Sequence, residues 1–255
     1  MESETDIIRK AWSPIITLPE TLDPDPEHEV VAMAVPIYEA VKRSAWYGMQ
    51  AMGHRMARML PEGNIWLLRP SNERLGYPYS THWMRISMYL WEELCGRRAD
   101  WFFHLDDDAI FPADLYERLR EVANPETRPV VSALAYCRQH PFKPGVTAIC
   151  EDGIERQWDV APHGVHEVHT APLVAALIHR SVFDRVDEPM FHCTAMTAVA
   201  PTHVVGPDRW FCLRCHKAGI PITVHCDVDI GHVSQPGVVS RAVSEQFNVK
   251  FGGVK

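Results

Sequence analysis

The chain contains no run of apolar residues near the ~18 needed to cross a bilayer, so no membrane span is expected. Its opening residues, MESETDIIRK, lack the basic-then-apolar character of a secretory leader, which points to a cytoplasmic protein. The seven cysteines are odd in number and follow no framework spacing; with no export signal they read as reduced thiols. No internal repeat is visible, and no glycine-rich phosphate loop follows the first apolar run, Val30–Val35. There is no dense basic patch beside the aromatic and histidine residues Trp158, His192, His203 and Trp210 either. The net charge of −8 is carried mainly by residues 1–29, which hold eight acids against Arg9 and Lys10, and the remainder is nearly neutral. That balance neither favours nor excludes a nucleic-acid partner.

What is present is an ordinary globular composition, 46% hydrophobic and 23% charged over 255 residues, which excludes a disordered, collagenous or coiled-coil chain. Residues 1–29 form an acidic, proline-rich extension, expected to be a solvated arm. From Val30 onward, short apolar runs alternate with helical periodicity. Val30–Val35, Ile65–Leu68, Trp101–Leu105 and Val130–Leu134 read as strands buried on both faces. Glu39–Leu60, Trp83–Cys95 and Pro112–Val122 read as helices between them. Four β–α alternations predict an α/β fold with a mostly parallel, helix-flanked sheet, whose ligands dock at the carboxyl ends of the strands. After Tyr136 the pattern becomes irregular and β-rich, with strand-like pieces at Val146–Cys150, Ile154–Trp158 and Val174–Ile178. A last helix is expected over Trp210–Lys217, then a strand over Ile220–His225 and a glycine-rich tail. The expected organisation is one catalytic domain, 30–235, with a nucleotide-binding half (30–136) and an irregular half (137–235), followed by a tail over 236–255.

The sharpest chemical feature is Asp106-Asp107-Asp108, directly after the strand Trp101–Leu105. Three adjacent carboxylates repel one another, and each costs several kcal/mol if buried unpaired, so a cation belongs beside them. Hard divalent ions prefer oxygen ligands, and Mg²⁺ is commonly held by one or two carboxylates plus substrate phosphates. Residues two apart on an extended chain share a side but stand roughly 7 Å apart, so Asp106 and Asp108 need a turn to reach one ion.

Strand–Asp-Asp-Asp–helix, about 75 residues after a valine-rich strand ending in proline, resembles the Asp-X-Asp motif of GT-A fold glycosyltransferases, family 2-like, of the small soluble type found in phage and bacteria. Further stretches resemble that family in order. VVAMAVPIY (Val30–Tyr38) is similar to its opening strand and nucleotide-contacting loop. EVHTAPLVAALIHRSVF (Glu167–Phe183) is similar to the strand after the acceptor loops. GPDRWFCLRCHKAG (Gly206–Gly219) is similar to its catalytic helix, and VDIGHV (Val228–Val233) to its closing strand.

The resemblance implies a metal-dependent transfer of a sugar from a nucleotide-sugar donor, a uridine diphosphate sugar by preference, to an acceptor hydroxyl. It implies Mn²⁺ or Mg²⁺ held by Asp106, Asp108 and His232, and Asp208 as the general base of an inverting reaction. Pro207 stands where a glutamate usually precedes that base. Donor contacts are implied for Pro36, Tyr38, Glu39, Arg69, Arg85, Asp106 and Asp107, and acceptor contacts for Trp158, His203 and Trp210. The acceptor is expected to be a glycan, a protein or a modified nucleic acid such as hydroxymethylated DNA.

Two rivals remain open. A nucleotidyltransferase would share the fold and acidic site but should carry a glycine-rich loop after the first strand. A zinc-stabilised binding module would rest on Cys212-Leu-Arg-Cys215-His216 with Cys193, His225 or Cys226, and would leave the three aspartates unexplained. His163, His166 and His169 alternate at strand spacing and read as a loop or solvent face.

Overall fold

Each of the strands β1 (Val31–Ala34), β3 (Trp101–Leu105) and β5 (Val130–Leu134) is buried at every position. The cause is that both faces of their sheet are covered, and alternation along each strand divides the core into two layers. Ala32, Ala34, Phe102 and Val130 pack on one face, whereas Val31, Met33, Trp101, Phe103 and Val131 pack on the other. The computed structural model describes residues 24–35, 42–61, 64–68, 99–138, 141–187, 190–191, 194–195, 204–233 and 237–251.

The remaining strands are β2 (Ile65–Leu68), β4 (Ala109–Ile110), β6 (Thr147–Ile149), β7 (Glu155–Gln157), β8 (Val165–Val168), β9 (Ala175–His179), β10 (Thr194–Ala195), β11 (Val204–Val205), β12 (Ile222–Asp229), β13 (Gly231–Val233) and β14 (Val238–Val239). The helices are α1 (Arg43–Met59), α2 (Leu115–Val122), α3 (Ser181–Arg185), α4 (Pro207–Lys217) and α5 (Arg241–Phe251). Seven strands form one sheet in the order β2-β1-β3-β9-β5-β12-β8.

The fold is mixed α/β. Strands β1, β2, β3, β5 and β12 run parallel, as the β–α alternation predicts, but β9 enters antiparallel between β3 and β5, and β8 closes the edge antiparallel to β12. A fully apolar run such as Ala175–Ile178 carries no sign of its direction, so periodicity could place this strand but not orient it. The expected helix Trp83–Cys95 lies outside the described residues.

Helix α1 buries Ala45, Met49, Met52 and Met56, a stripe at four-three-four spacing, against the layer that also receives Leu115, Tyr116 and Leu119 of α2. The opposite layer receives Val182 and Phe183 of α3 and Phe211, Cys212 and Cys215 of α4. No helix among the described residues is long and apolar enough to cross a membrane.

Two features at the ends add to the expected arm and tail. The acidic arm is not free at its inner end, because fully buried Asn64 donates to the carbonyls of Asp25 and His28, both at 3.0 Å, and accepts the Asp25 N–H at 2.9 Å. Glu29 then pairs with Arg120. Residues 1–23 lie outside the described residues. At the other end, the segment read as a tail carries β14 and α5. The Arg241 guanidinium donates to the carbonyls of Cys226 at 2.6 Å and Ala161 at 3.2 Å, tying α5 to β12. Contacts made by one arginine of a short stretch leave little trace in periodicity.

Candidate metal centre

The tip of β3 opens into a tight turn at Asp107-Asp108 before β4. The turn supplies what an extended chain lacks, a bend that draws Asp106 and Asp108, two residues apart, close enough to face one point. It is held from three sides. Asp106 N–H donates to Val174 O at 2.9 Å, Lys42 N–H to Asp107 O at 3.0 Å, and Val233 N–H to Asp108 O at 2.9 Å. The last bond belongs to a small sheet, β14-β13-β4, in which His232 pairs with Ala109. Strand β13 thereby brings His232, 124 positions downstream of Asp108, to the same spot.

Asp106, Asp108 and His232 each offer a ligand atom, and these atoms lie within 4.8 Å of one another. Opposite vertices of a Mg²⁺ or Ca²⁺ coordination sphere are roughly 4.2–5 Å apart, so the spacing suits a single ion. Two carboxylates and one imidazole form a hard set with one borderline nitrogen, a donor chemistry suited to a divalent ion. Burial alone would raise the Asp108 carboxyl, but the neighbouring His232 and the charges of Arg138 and Lys42 hold it below the usual carboxylate range.

Two residues that sequence reasoning did not single out complete the surroundings. His104 is fully buried on β3, and its Nε2 stands 3.1 Å from Asp106 Oδ1. Its Nδ1 is buried without a partner among the described residues. The signal was there: on a strand, positions i and i+2 share a face. The other is Arg138, whose Nε donates to His232 Nε2 at 2.7 Å while a terminal nitrogen lies 2.8 Å from Asp108 Oδ2. Nothing in the sequence around Arg138 announces that contact.

Asp208 occupies the first turn of α4, with Pro207 at the helix start. A proline there sacrifices no helical hydrogen bond, so the residue that departs from the family pattern also marks where the helix begins. The Asp208 Oδ2 accepts the Leu173 N–H at 3.0 Å. Burial pushes the carboxyl above its ordinary range, and the charge of Asp106 pushes it the same way. Helix α4 is locked in place by the next residue: Arg209 grips the Glu155 carboxylate of β7 through two contacts of 2.6 and 2.5 Å. The Thr147 hydroxyl donates to the same carboxylate at 2.6 Å. The loop into β9 also serves α4, since Leu173 binds Asp208 and Ala171 O accepts from the Cys212 thiol at 3.6 Å.

The other expected site residues fall out variously. Asp107 contributes its carbonyl to the turn. Trp158 packs edge-on to His166, with ring centroids 5.9 Å apart, and Trp210 sits half-buried two residues after Asp208. Pro36, Tyr38, Glu39, Arg69, Arg85 and His203 lie outside the described residues.

For zinc, Cys212 and Cys215 do share the buried face of α4, but burial pushes the Cys212 thiol up to about 12 and the Cys215 thiol upward as well. Among the described residues the only trio of potential ligands is Asp106, Asp108 and His232. His163 instead pairs with Asp227 at 2.8 Å, and His169 stacks on His216 at 4.5 Å between ring centroids.

No family model matches the chain, and no curated protein matches it. Among solved structures it is similar to A197 from STIV, with a TM-score of 0.55 and 14% identity, over 84% of this chain and 91% of that one. At that identity the likeness concerns the fold, and what the two chains share is a mixed α/β architecture.

Proposed function

We propose that the protein is a metal-dependent glycosyltransferase of the GT-A type, moving a sugar from a nucleoside diphosphate donor, uridine diphosphate by preference, to an acceptor hydroxyl. The observation that carries this reading is the meeting of Asp106, Asp108 and His232 at the carboxyl end of β3, with the raised carboxyl of Asp208 in the electrostatic field of Asp106. Asp106, Asp108 and His232 hold Mn²⁺ or Mg²⁺. Such an ion supplies Lewis-acid stabilisation of the departing diphosphate.

The rest of the chemistry falls to the chain. As the bond from the anomeric carbon to the diphosphate oxygen breaks, its electron pair leaves with the diphosphate. The acceptor oxygen attacks from the opposite face, and its proton passes to the Asp208 carboxylate. A base works best with a pKa near the working pH, and burial beside Asp106 moves Asp208 in that direction. The Glu155–Arg209 clamp fixes the turn of α4 that presents it. His104 orients Asp106 from within the core.

The test is release of nucleoside diphosphate from a panel of nucleotide sugars with Mn²⁺, first alone and then with a glycan, a protein or hydroxymethylated DNA as acceptor. Turnover of one donor, accelerated by one acceptor class and lost in Asp108→Asn, is the expected result. No release from any donor, by protein that melts cooperatively, would overturn the reading.

A further inference from the structure

The Arg138 guanidinium stands inside the candidate metal centre. It engages two of the three potential ligands at once, His232 through Nε at 2.7 Å and Asp108 through a terminal nitrogen at 2.8 Å. His232 Nε2 also stands 3.4 Å from Asp108 Oδ1, but the Arg138 contact is the shorter one, and because a guanidinium has no acceptor, Nε2 offers its lone pair in that contact. That lone pair is the one the ring would give to a metal ion. An ion bound by His232 Nε2 and Arg138 in its present place are therefore mutually exclusive.

We propose that Arg138 is the internal counter-ion of this centre: a divalent ion displaces it, and the freed guanidinium then grips the diphosphate of the nucleotide. The second half rests on the nucleotide-sugar reading above; the first half does not. Three observations support the exchange. Asp106 and Asp108 end a buried strand within a few ångströms of each other, and Arg138 supplies compensating positive charge at Asp108. Its contact with His232 Nε2 keeps the proton of the neutral ring on Nδ1, the tautomer that ligation through Nε2 requires.

Finally, the Arg138 side chain is 46% exposed against 18% for Asp108, so it can swing outward without opening the core. The loop that carries it is anchored just before it, where Cys137 N–H donates to Lys143 O at 2.9 Å. A side chain leaving from that base remains at the rim of the centre. Its planar fork matches the paired oxygens of a diphosphate, as a lysine's point charge would not.

The experiment titrates Mn²⁺, followed by the electron paramagnetic resonance of the free ion, into wild type, Arg138→Gln, Arg138→Lys and Asp108→Asn, without nucleotide and then with uridine diphosphate. Without nucleotide, Arg138→Gln should bind Mn²⁺ about tenfold tighter than wild type, equivalent to ~1.4 kcal/mol. Arg138→Lys should stay nearer wild type, and Asp108→Asn should lose binding. At saturating Mn²⁺ the order reverses, and Arg138→Gln should bind uridine diphosphate about tenfold more weakly.

Mn²⁺ affinity in Arg138→Gln equal to or below that of wild type, in protein with an unchanged melting temperature, overturns the counter-ion role. Tighter Mn²⁺ binding with no binding of uridine diphosphate by any form leaves the counter-ion role standing and overturns the diphosphate role together with the choice of nucleotide. Absence of Mn²⁺ binding in wild type and Arg138→Gln alike removes the metal centre and the proposal with it.

Discussion

His104 Nε2 lies 3.1 Å from Asp106 Oδ1, and the histidine that makes this contact is wholly enclosed by the core. The pair share one face of the end of β3, the face covered by α4, so the orientation of a candidate metal ligand is set from inside the protein. Removing an outer partner of a ligand typically costs 10–100-fold in metal affinity. His104→Phe should therefore weaken Mn²⁺ binding roughly 10–100-fold, measured by titration, in protein that still melts cooperatively.

Asp208 is close enough to Asp106 for their charges to interact, but its Oδ2 is occupied by the Leu173 N–H. A group that moves the acceptor proton should matter for turnover and not for holding the ion. Asp208→Asn should keep Mn²⁺ and nucleotide affinity within a few-fold while turnover falls by about 10²–10⁴. Parallel titration and rate measurements check the split.

Gly48 lies where α1 crosses the segment following the aspartates. A Cβ there would stand 2.9 Å from the Phe111 carbonyl oxygen, and backbone cannot yield as a side chain tip can. Gly48→Ala should destabilise by ~1–3 kcal/mol, the usual cost of overpacking. Gly53, five residues on in the same helix, has open space at its Cβ position. Gly53→Ala should instead stabilise by ~0.5–1 kcal/mol. Thermal melts of the two variants provide the comparison.

Glu29 accepts hydrogen bonds from Arg120 Nε at 2.8 Å and from Trp101 Nε1 at 3.2 Å, while the guanidinium lies 5.0 Å from the centre of the Trp101 ring. Burial would raise the Glu29 carboxyl; the hydrogen bonds from Arg120 and Trp101 and the charge of Arg120 outweigh it and leave the group below its ordinary value of 4.5. A depressed acid stabilises the fold above its unfolded pKa, and that contribution disappears as pH falls through the folded value. Wild type should lose melting temperature below about pH 4.5, and Glu29→Gln should lose less over the same range. Because Glu29 is partly exposed, the difference should stay within about 1 kcal/mol.

The first half of the fold was legible because strands buried on both faces write unbroken apolar runs, as in Val30–Val35 and Trp101–Leu105. The direction of β9 was not, because direction is decided by neighbours and not by composition. Asp106 and Asp108 stood out through the repulsion among three adjacent carboxylates. His232 required the likeness to a family, since only the β4–β13 pairing brings it near. His104 was readable from strand alternation, whereas Arg138 reaches His232 across 94 residues and Asp108 across 30, from a loop that no local pattern describes. Asn64 was hidden for the same reason, its partners in the arm lying 35 to 39 positions away.

The most direct test of the central claim is thermal melting of wild type and Asp108→Asn with uridine diphosphate, with and without Mn²⁺. A ligand at ~100 times its dissociation constant adds ~2.7 kcal/mol. For a chain of this size that is a rise of roughly 5–10 °C. The account predicts such a rise in wild type only when Mn²⁺ and the nucleotide are both present, and none in Asp108→Asn. An equal rise in the mutant, or no rise in wild type with any nucleoside diphosphate, would contradict it.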